Sequence, residues 1–61
     1  MEKIEYAIEE ERSIGGLYTG EYDEIGRTES KSIAESEVNR LNKRNGYHYR
    51  AREIHLHCEK L

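Results

Sequence analysis

The 61-residue sequence has no proline, no tryptophan, no phenylalanine and only one cysteine, Cys58. A single cysteine excludes a disulfide within the chain and fits a reducing compartment. The core must therefore come from six isoleucines, four leucines, one valine and some of the five tyrosines. Because so short a chain buries only about 60% of its unfolded surface, we expect marginal stability and a tendency to form a homodimer.

Long apolar runs are also missing from the sequence. No segment approaches the roughly 20 apolar residues of a membrane span, and no apolar run follows Met1, so we expect neither membrane association nor a signal peptide. The charge is mixed, with 13 acidic residues against 10 lysines and arginines and a net charge of −3. Nine acids and three bases lie in residues 1–30, whereas four acids and seven bases lie in residues 31–61. We therefore expect a cytoplasmic domain with two electrostatically different faces.

The first half of the chain has the pattern of a β-hairpin. Ile4, Tyr6 and Ile8 alternate with more polar positions, which predicts a strand over about residues 3–12. Residues 13–16 contain paired glycines and predict a turn. Residues 17–22 predict a second, shorter strand, and residues 23–31 are polar enough to predict a loop.

A helix is predicted over residues 33–44. Ser32 and Glu35 have the spacing of a capping box, in which Ser32 is the residue that caps the helix. Ala34, Val38 and Leu41 then recur at helical spacing. Lys43 and Arg44 complement the dipole of the last turn, and Asn45-Gly46 provides a left-handed stop, so the helix ends there.

Residues 47–58 predict a third strand whose alternation changes phase. Tyr47, Tyr49 and Ala51 occupy odd positions, whereas the later apolar residues, Ile54, Leu56 and Cys58, occupy even ones. One regular strand cannot bury both sets on the same face. The sequence leaves two alternatives open, a bulge near Arg52–Glu53 that resets the phase, or an exposed set of residues.

The order of the elements predicts an α+β fold over a single domain, residues 1–61. Its ββαβ order, with a right-handed crossover, gives a three-stranded antiparallel sheet in the order 2-1-3 with the helix on one face. The other face of the sheet would be open to a partner.

The histidines and the cysteine near the C-terminus do not predict chemistry. In a strand, His55 and His57 point to one side and Cys58 to the other, so they cannot converge on a metal without a distortion, and adjacent strand residues face apart, which disfavours a Cys–His catalytic pair. Gly15, Gly16 and Gly20 do not form a phosphate-binding motif. We expect a protein that is not an enzyme and that has no metal or other cofactor.

Two surfaces are candidates for binding. Tyrosine and arginine are frequent at protein-binding hot spots, which predicts a partner-binding surface made of Tyr47, Tyr49, Arg50, Arg52, His55 and His57. An acidic patch would steer the partner electrostatically; it comprises Glu9, Glu10, Glu11, Glu21, Asp23 and Glu24. The alternative is an RNA- or DNA-binding module that uses the basic second half, where Arg40, Lys43 and Arg44 accompany Arg50, Arg52 and the tyrosines.

The junction between the predicted helix and the last strand carries a further pattern, formed by Leu41, Asn42, Tyr47, Tyr49, Glu53 and Ile54. This half of the chain resembles small phage and prophage proteins, in which a helix ending in Leu-Asn leads through a short turn into such a strand. The resemblance implies a phage-encoded protein that inhibits or redirects a host protein in the bacterial cytoplasm, and it transfers no catalytic residue. We expect a protein-binding module that acts by occlusion.

Overall fold

The computed structural model describes residues 2–57 of the chain. It contains the strands β1 (Glu2–Ile14), β2 (Leu17–Thr28) and β3 (Tyr49–His57), and the helix α1 (Lys31–Asn45) between β2 and β3. The strands form one antiparallel sheet in the order β2-β1-β3. The predicted α+β fold, with its ββαβ order, is confirmed.

The β1–β2 hairpin closes through a two-residue glycine turn. Ile14 pairs with Leu17, and between them Gly15 and Gly16 have φ angles of 59° and 82°. A type I′ hairpin turn requires positive φ at both central positions, which glycine adopts without strain. The paired glycines of the sequence therefore define the hairpin, as predicted.

The loop predicted over residues 23–31 is wrong for its first six positions, because β2 continues to Thr28. Two irregularities interrupt the pairing of β2 with β1. Consecutive residues Ile8 and Glu9 pair with Gly26 and Glu24, so Ile25 is an extra residue in β2, and a second shift surrounds Gly20. Backbone pairing and ion pairs, rather than apolar alternation, hold this polar segment in the sheet, so its composition concealed the strand.

The helix begins two residues earlier than predicted. Ser30 caps it, because the Ser30 hydroxyl accepts a hydrogen bond from the amide of Ile33 at 3.3 Å. The expected capping box of Ser32 and Glu35 is therefore wrong, since Ser32 already lies within the first turn. Lys43 and Arg44 occupy the last turn as predicted, and Gly46 ends the helix with a φ of 86°.

The register between β1 and β3 settles the phase of the last strand. It runs without interruption from the pair Glu2–His57 to the pair Glu10–Tyr49. Of the two alternatives, the bulge near Arg52–Glu53 is therefore wrong, and the two sets of residues lie on opposite faces. Side chains alternate strictly along β3. One face of β3 carries Tyr49, Ala51, Glu53, His55 and His57, and the other carries Arg50, Arg52, Ile54 and Leu56.

The helix lies on the face of the sheet that carries Tyr49, Ile8 and Tyr6. Asn45 donates from its side-chain nitrogen to the Tyr49 hydroxyl at 3.3 Å, and Asn42 bonds both the backbone amide and the carbonyl of Tyr49. The other side, which we call the open face, carries the odd-numbered residues of β1 from Lys3 to Glu11 and the β3 residues that pair with them.

The apolar interior is very small. Among the described residues only Ala7, Ile8 and Ala34 are buried apolar side chains. Burial of a whole apolar side chain contributes about 1.5–3 kcal/mol only when the side chain is large, and two of these three are alanines. Because the apolar core is so small, hydrogen bonds and ion pairs make up a larger fraction of the stabilising contacts than in a domain with a larger core.

The capping arrangement gives a direct test of the helix start. We expect Ser30→Ala to lower the free energy of unfolding by about 1 kcal/mol, because it removes the acceptor for a helical amide that would otherwise have none. Ser32→Ala tests the alternative cap and should change it by less than about 0.5 kcal/mol, because Ser30 keeps its bond to the Ile33 amide when the exposed contact between the two hydroxyls, at 3.2 Å, is lost. Urea denaturation followed by circular dichroism measures both; a larger loss in Ser32→Ala than in Ser30→Ala would contradict the assignment.

Candidate functional site

A buried carboxylate occupies the centre of the open face. Glu9 is only 4% exposed, and its two carboxylate oxygens accept hydrogen bonds from Arg50 Nε at 2.8 Å and from Arg52 Nε at 2.9 Å. Burial raises the pKa of Glu9, but the hydrogen bonds and the charges of both arginines outweigh it, so the pKa lies below its ordinary value. Glu9 is therefore an ionised group held between two cations, an arrangement that we call the Glu9 clamp.

Paired charges cover the rest of the open face. The Arg50 guanidinium lies over the ring of Tyr22, 3.7 Å from its centroid. Arg27 contacts Glu24 at 2.6 Å and Glu5 at 3.3 Å, and Lys3 contacts Glu29 and, more distantly, Glu5. Positive side chains on this face are thus matched by carboxylates of the same chain.

The six residues predicted to form a partner-binding surface do not come together. Arg50 and Arg52 lie on the open face, about half exposed. Tyr49 lies on the opposite face, which the helix covers. Its hydroxyl donates to Glu10 at 2.6 Å, and this bond raises the pKa of Tyr49. Tyr47 precedes β3 and is 85% exposed. The remaining two, His55 and His57, share the face of Tyr49 at the far end of β3.

The acidic residues predicted to steer a partner are engaged within the chain. Arg12 bonds Asp23 through two nitrogens, at 2.7 and 3.1 Å, and Glu21 through a third. Glu9, Glu10 and Glu24 are held as described above, so these acids organise the sheet. The structure does not gather all six into one surface, because Glu9 and Glu10 are successive strand residues on opposite faces.

Glu11, the sixth acidic residue, connects three segments of the chain. One carboxylate oxygen lies 3.0 Å from His48 Nδ1, and the other accepts from the amide of Gly20 at 2.9 Å. The Glu11 amide donates to the carbonyl of His48 at 2.8 Å. The ring of Tyr18 stacks on the ring of His48, with centroids 3.4 Å apart. Sequence reasoning missed Tyr18, Tyr22 and His48, whose only signal was their residue type.

The end of the β1–β2 hairpin is the most exposed apolar part of the described chain. Pairing of β1 with β3 ends at Glu10, so residues 11–22 extend past the third strand. At their end, which we call the hairpin tip (residues 14–18), Ile14 is 66%, Leu17 76% and Tyr18 48% exposed. The molecule is accordingly long and thin, 48 × 22 × 12 Å between Cα atoms.

The described residues include no group of three or more His, Cys, Asp or Glu side chains that could hold a metal ion. His55 and His57 point to the same side of β3, as expected, whereas Cys58 lies outside the described residues. His55 is itself placed between two carboxylates, Glu2 at 2.8 Å and Glu53 at 2.6 Å.

Comparison with known proteins gives no relative. No protein-family model, curated protein or solved structure matches the chain. In residues 2–57 no helix is both long enough and apolar enough to cross a membrane.

The His55 contacts predict a pH dependence. Hydrogen bonds to Glu2 and Glu53 raise the pKa of His55 above its ordinary value of about 6.5. A group whose pKa is raised on folding stabilises the protein fully below its unfolded pKa, and this stabilisation is lost as pH rises through the folded pKa. We expect an imidazole NMR titration of His55 with a midpoint above 6.5, lowered by Glu2→Gln.

Glu21→Gln is the matched control, because Glu21 is an exposed carboxylate beside Arg12, in the part of the hairpin that extends past β3, whereas His55 pairs with Ile4 at the other end of β1. It should leave the His55 midpoint unchanged. A wild-type midpoint at or below the ordinary value, or one that Glu2→Gln does not move, would contradict the two-carboxylate environment.

Proposed function

We propose that this protein is a small non-enzymatic module that binds another protein and blocks one of its surfaces. The observation that carries the proposal is the apolar hairpin tip. Ile14 and Leu17 pair across the glycine turn and are mostly exposed, and the neighbouring Tyr18 is about half exposed. Large apolar side chains grouped at the end of a projecting hairpin are typical of residues that become buried in a partner's cleft.

The chain exposes more surface than a compact monomer of its mass. Its 4811 Å² exceeds the roughly 4,100 Å² expected for a compact monomer of 7.2 kDa, because residues 11–22 extend past the third strand. The projecting hairpin is the surface that we assign to the partner.

The arrangement of the cations favours a protein partner over the nucleic-acid alternative. Of the five basic residues in the predicted nucleic-acid surface, Arg50 and Arg52 hold Glu9 and Arg40 contacts Glu37 at 2.7 Å. A phosphate backbone would have to compete with these carboxylates for each guanidinium. Lys43 and Arg44 alone, in the last helical turn, are a small basis for nucleic-acid binding.

The mechanism that we propose is occlusion. Insertion of the hairpin tip would bury Leu17 and Ile14 in the target, each worth about 1.5–3 kcal/mol on complete burial. The proposed setting is that implied by the resemblance of the second half of the chain, a phage-encoded protein that acts on a host protein in the bacterial cytoplasm. The glycine turn lets the two apolar residues project together from the end of the hairpin.

Charged substitutions at the hairpin tip test the proposal. We expect Leu17→Asp and Ile14→Asp each to reduce capture of a stoichiometric protein from bacterial lysate at least tenfold, which corresponds to about 1.4 kcal/mol. The folded state should tolerate both changes because these side chains are mostly exposed. Ile33→Asp is the matched control, since Ile33 is also more than half exposed but lies in the first helical turn, where an acidic residue is favourable.

Capture is measured by quantitative mass spectrometry, with and without nuclease. Recovery that is unaffected by both tip substitutions would place the binding surface elsewhere. Recovery that disappears on nuclease treatment would overturn protein binding in favour of the nucleic-acid alternative.

A further inference from the structure

The early end of β3 leaves part of the central strand unpaired. β1 continues to Ile14, but its pairing with β3 stops at Glu10 and Tyr49, followed only by the bond from the Glu11 amide to the His48 carbonyl. Past that bond, β1 has no neighbour on this side within the described chain. The central strand of the sheet thus becomes an edge strand over its last three residues.

The direction of the free backbone groups follows from the contact of Glu11. Its amide donates to the carbonyl of His48, on the β3 side of β1. Backbone groups of successive strand residues point to opposite edges, so the amide and the carbonyl of Ser13 point away from β2, along the line that β3 would have continued. Together with the Glu11 carbonyl they give one donor and two acceptors in strand geometry.

A groove lies beside this edge. Its volume is about 560 Å³, and Ser13, Tyr18, His48, Asn45 and Tyr49 all line it. The Tyr18–His48 stack provides an aromatic wall. Asn45, Tyr49 and their hydrogen bond close the end where β3 begins. An extended chain laid in the groove would therefore occupy the place of a strand that continues β3.

The charge of the groove selects the occupant. Its lining includes three carboxylates, those of Glu10, Glu11 and Asp23, against one guanidinium, that of Arg12. Arg12 neutralises Asp23, whereas Glu10 and Glu11 have no lysine or arginine partner among the described residues and accept from the Tyr49 hydroxyl and the Gly20 amide. The groove therefore keeps a negative charge, which favours a cationic occupant and opposes a phosphate backbone.

We propose that this groove is a β-augmentation site for an extended, lysine- or arginine-containing segment of the target protein, which pairs its backbone with Glu11 and Ser13. The inference rests on the proposed function and adds to it the chemistry of the partner. The hairpin tip supplies apolar contacts, while the groove reads the backbone and the charge of the segment.

The test uses a defined probe with the intact protein, a blocked heptapeptide of alternating threonine and lysine. Titration into the ¹⁵N-labelled protein should shift the amide signals of Ser13 and its neighbours in wild type. Ser13→Pro removes the amide that the peptide must use, at an edge position where proline is tolerated. It should weaken binding at least tenfold, whereas the matched variant Ser13→Thr, which keeps the amide, should bind within twofold of wild type.

Two altered peptides separate the components of the site. N-methylation of alternate backbone amides should abolish the shifts, because it blocks strand pairing, and replacement of lysine by glutamate should weaken binding at least tenfold. Amide spectra of Ser13→Pro that keep the dispersion of the wild-type spectrum verify that this variant folds. The methylated peptide added to Ser13→Thr tests strand pairing without a proline in the protein, and it should produce no shifts.

Several results would overturn the inference. These are unshifted Ser13 signals at millimolar peptide, equal binding by Ser13→Pro, or equal binding of the glutamate peptide. A self-associated protein whose Ser13 amide is protected from exchange without peptide would place a second copy in the groove. Leu17→Asp should still bind the peptide, because Leu17 does not line the groove. Loss of peptide binding therefore tests the groove, and loss of protein capture tests the hairpin tip.

Discussion

The carboxylate of Glu9, held between the guanidinium groups of Arg50 and Arg52, is the interaction on which the open face of the sheet depends. It lies in the middle of the central strand and ties β1 to β3 through side chains as well as backbone. A buried carboxylate without a partner would cost several kcal/mol, so the burial of Glu9 depends on the two arginines of β3. Beside it, Ala7 is completely buried although the face has no covering layer. Ala7 pairs with Arg27 and Arg52, and the aliphatic parts of such long side chains can cover a small neighbour while their charged ends stay in water.

Because most charged side chains pair within the chain, few of them are left to contact a partner. The sequence predicts that several carboxylates and guanidinium groups steer or dock a partner. Most of them form ion pairs within the chain instead, such as Asp23 with Arg12 and Glu24 with Arg27. Seven large apolar or aromatic side chains are exposed in the described residues, and the two most exposed aliphatic ones, Ile14 and Leu17, lie side by side at the hairpin tip. A domain with a self-neutralised sheet face and an apolar projection is better suited to insertion into a cleft than to flat docking through the sheet. The groove at the base of the hairpin extends the same surface, because it borders the tip residue Tyr18.

The order of the elements could be predicted from the sequence because it depends on local patterns: the alternation of Ile4, Tyr6 and Ile8, the paired glycines, and the helical spacing of Ala34, Val38 and Leu41. The second half of β2 could not, since its residues are polar on an open face and it is held by pairing with β1. The helix start was misplaced because two serines two residues apart both fit a cap, and only the geometry of the chain after β2 selects Ser30. The Glu9 clamp depends on which residues of β3 lie on the same face of the sheet as Glu9. The sequence leaves this open, because the tyrosines and Ile54 follow opposite phases of alternation. The exposure of Ile14 and Leu17 was likewise not visible, because flanking a turn does not show that a hairpin projects past the rest of the sheet.

An NMR pH titration of the Glu9 side-chain carboxyl carbon in the wild-type protein shows whether the Glu9 clamp organises the open face. The Glu9 pKa results from opposed effects, burial that raises it and two arginine hydrogen bonds that lower it. If the clamp organises the open face, the midpoint lies below the ordinary glutamate value of about 4.3, and stability is lost as pH falls through that midpoint. A midpoint at or above the ordinary value would show that burial prevails over the arginines, and it would contradict the central role given to the clamp.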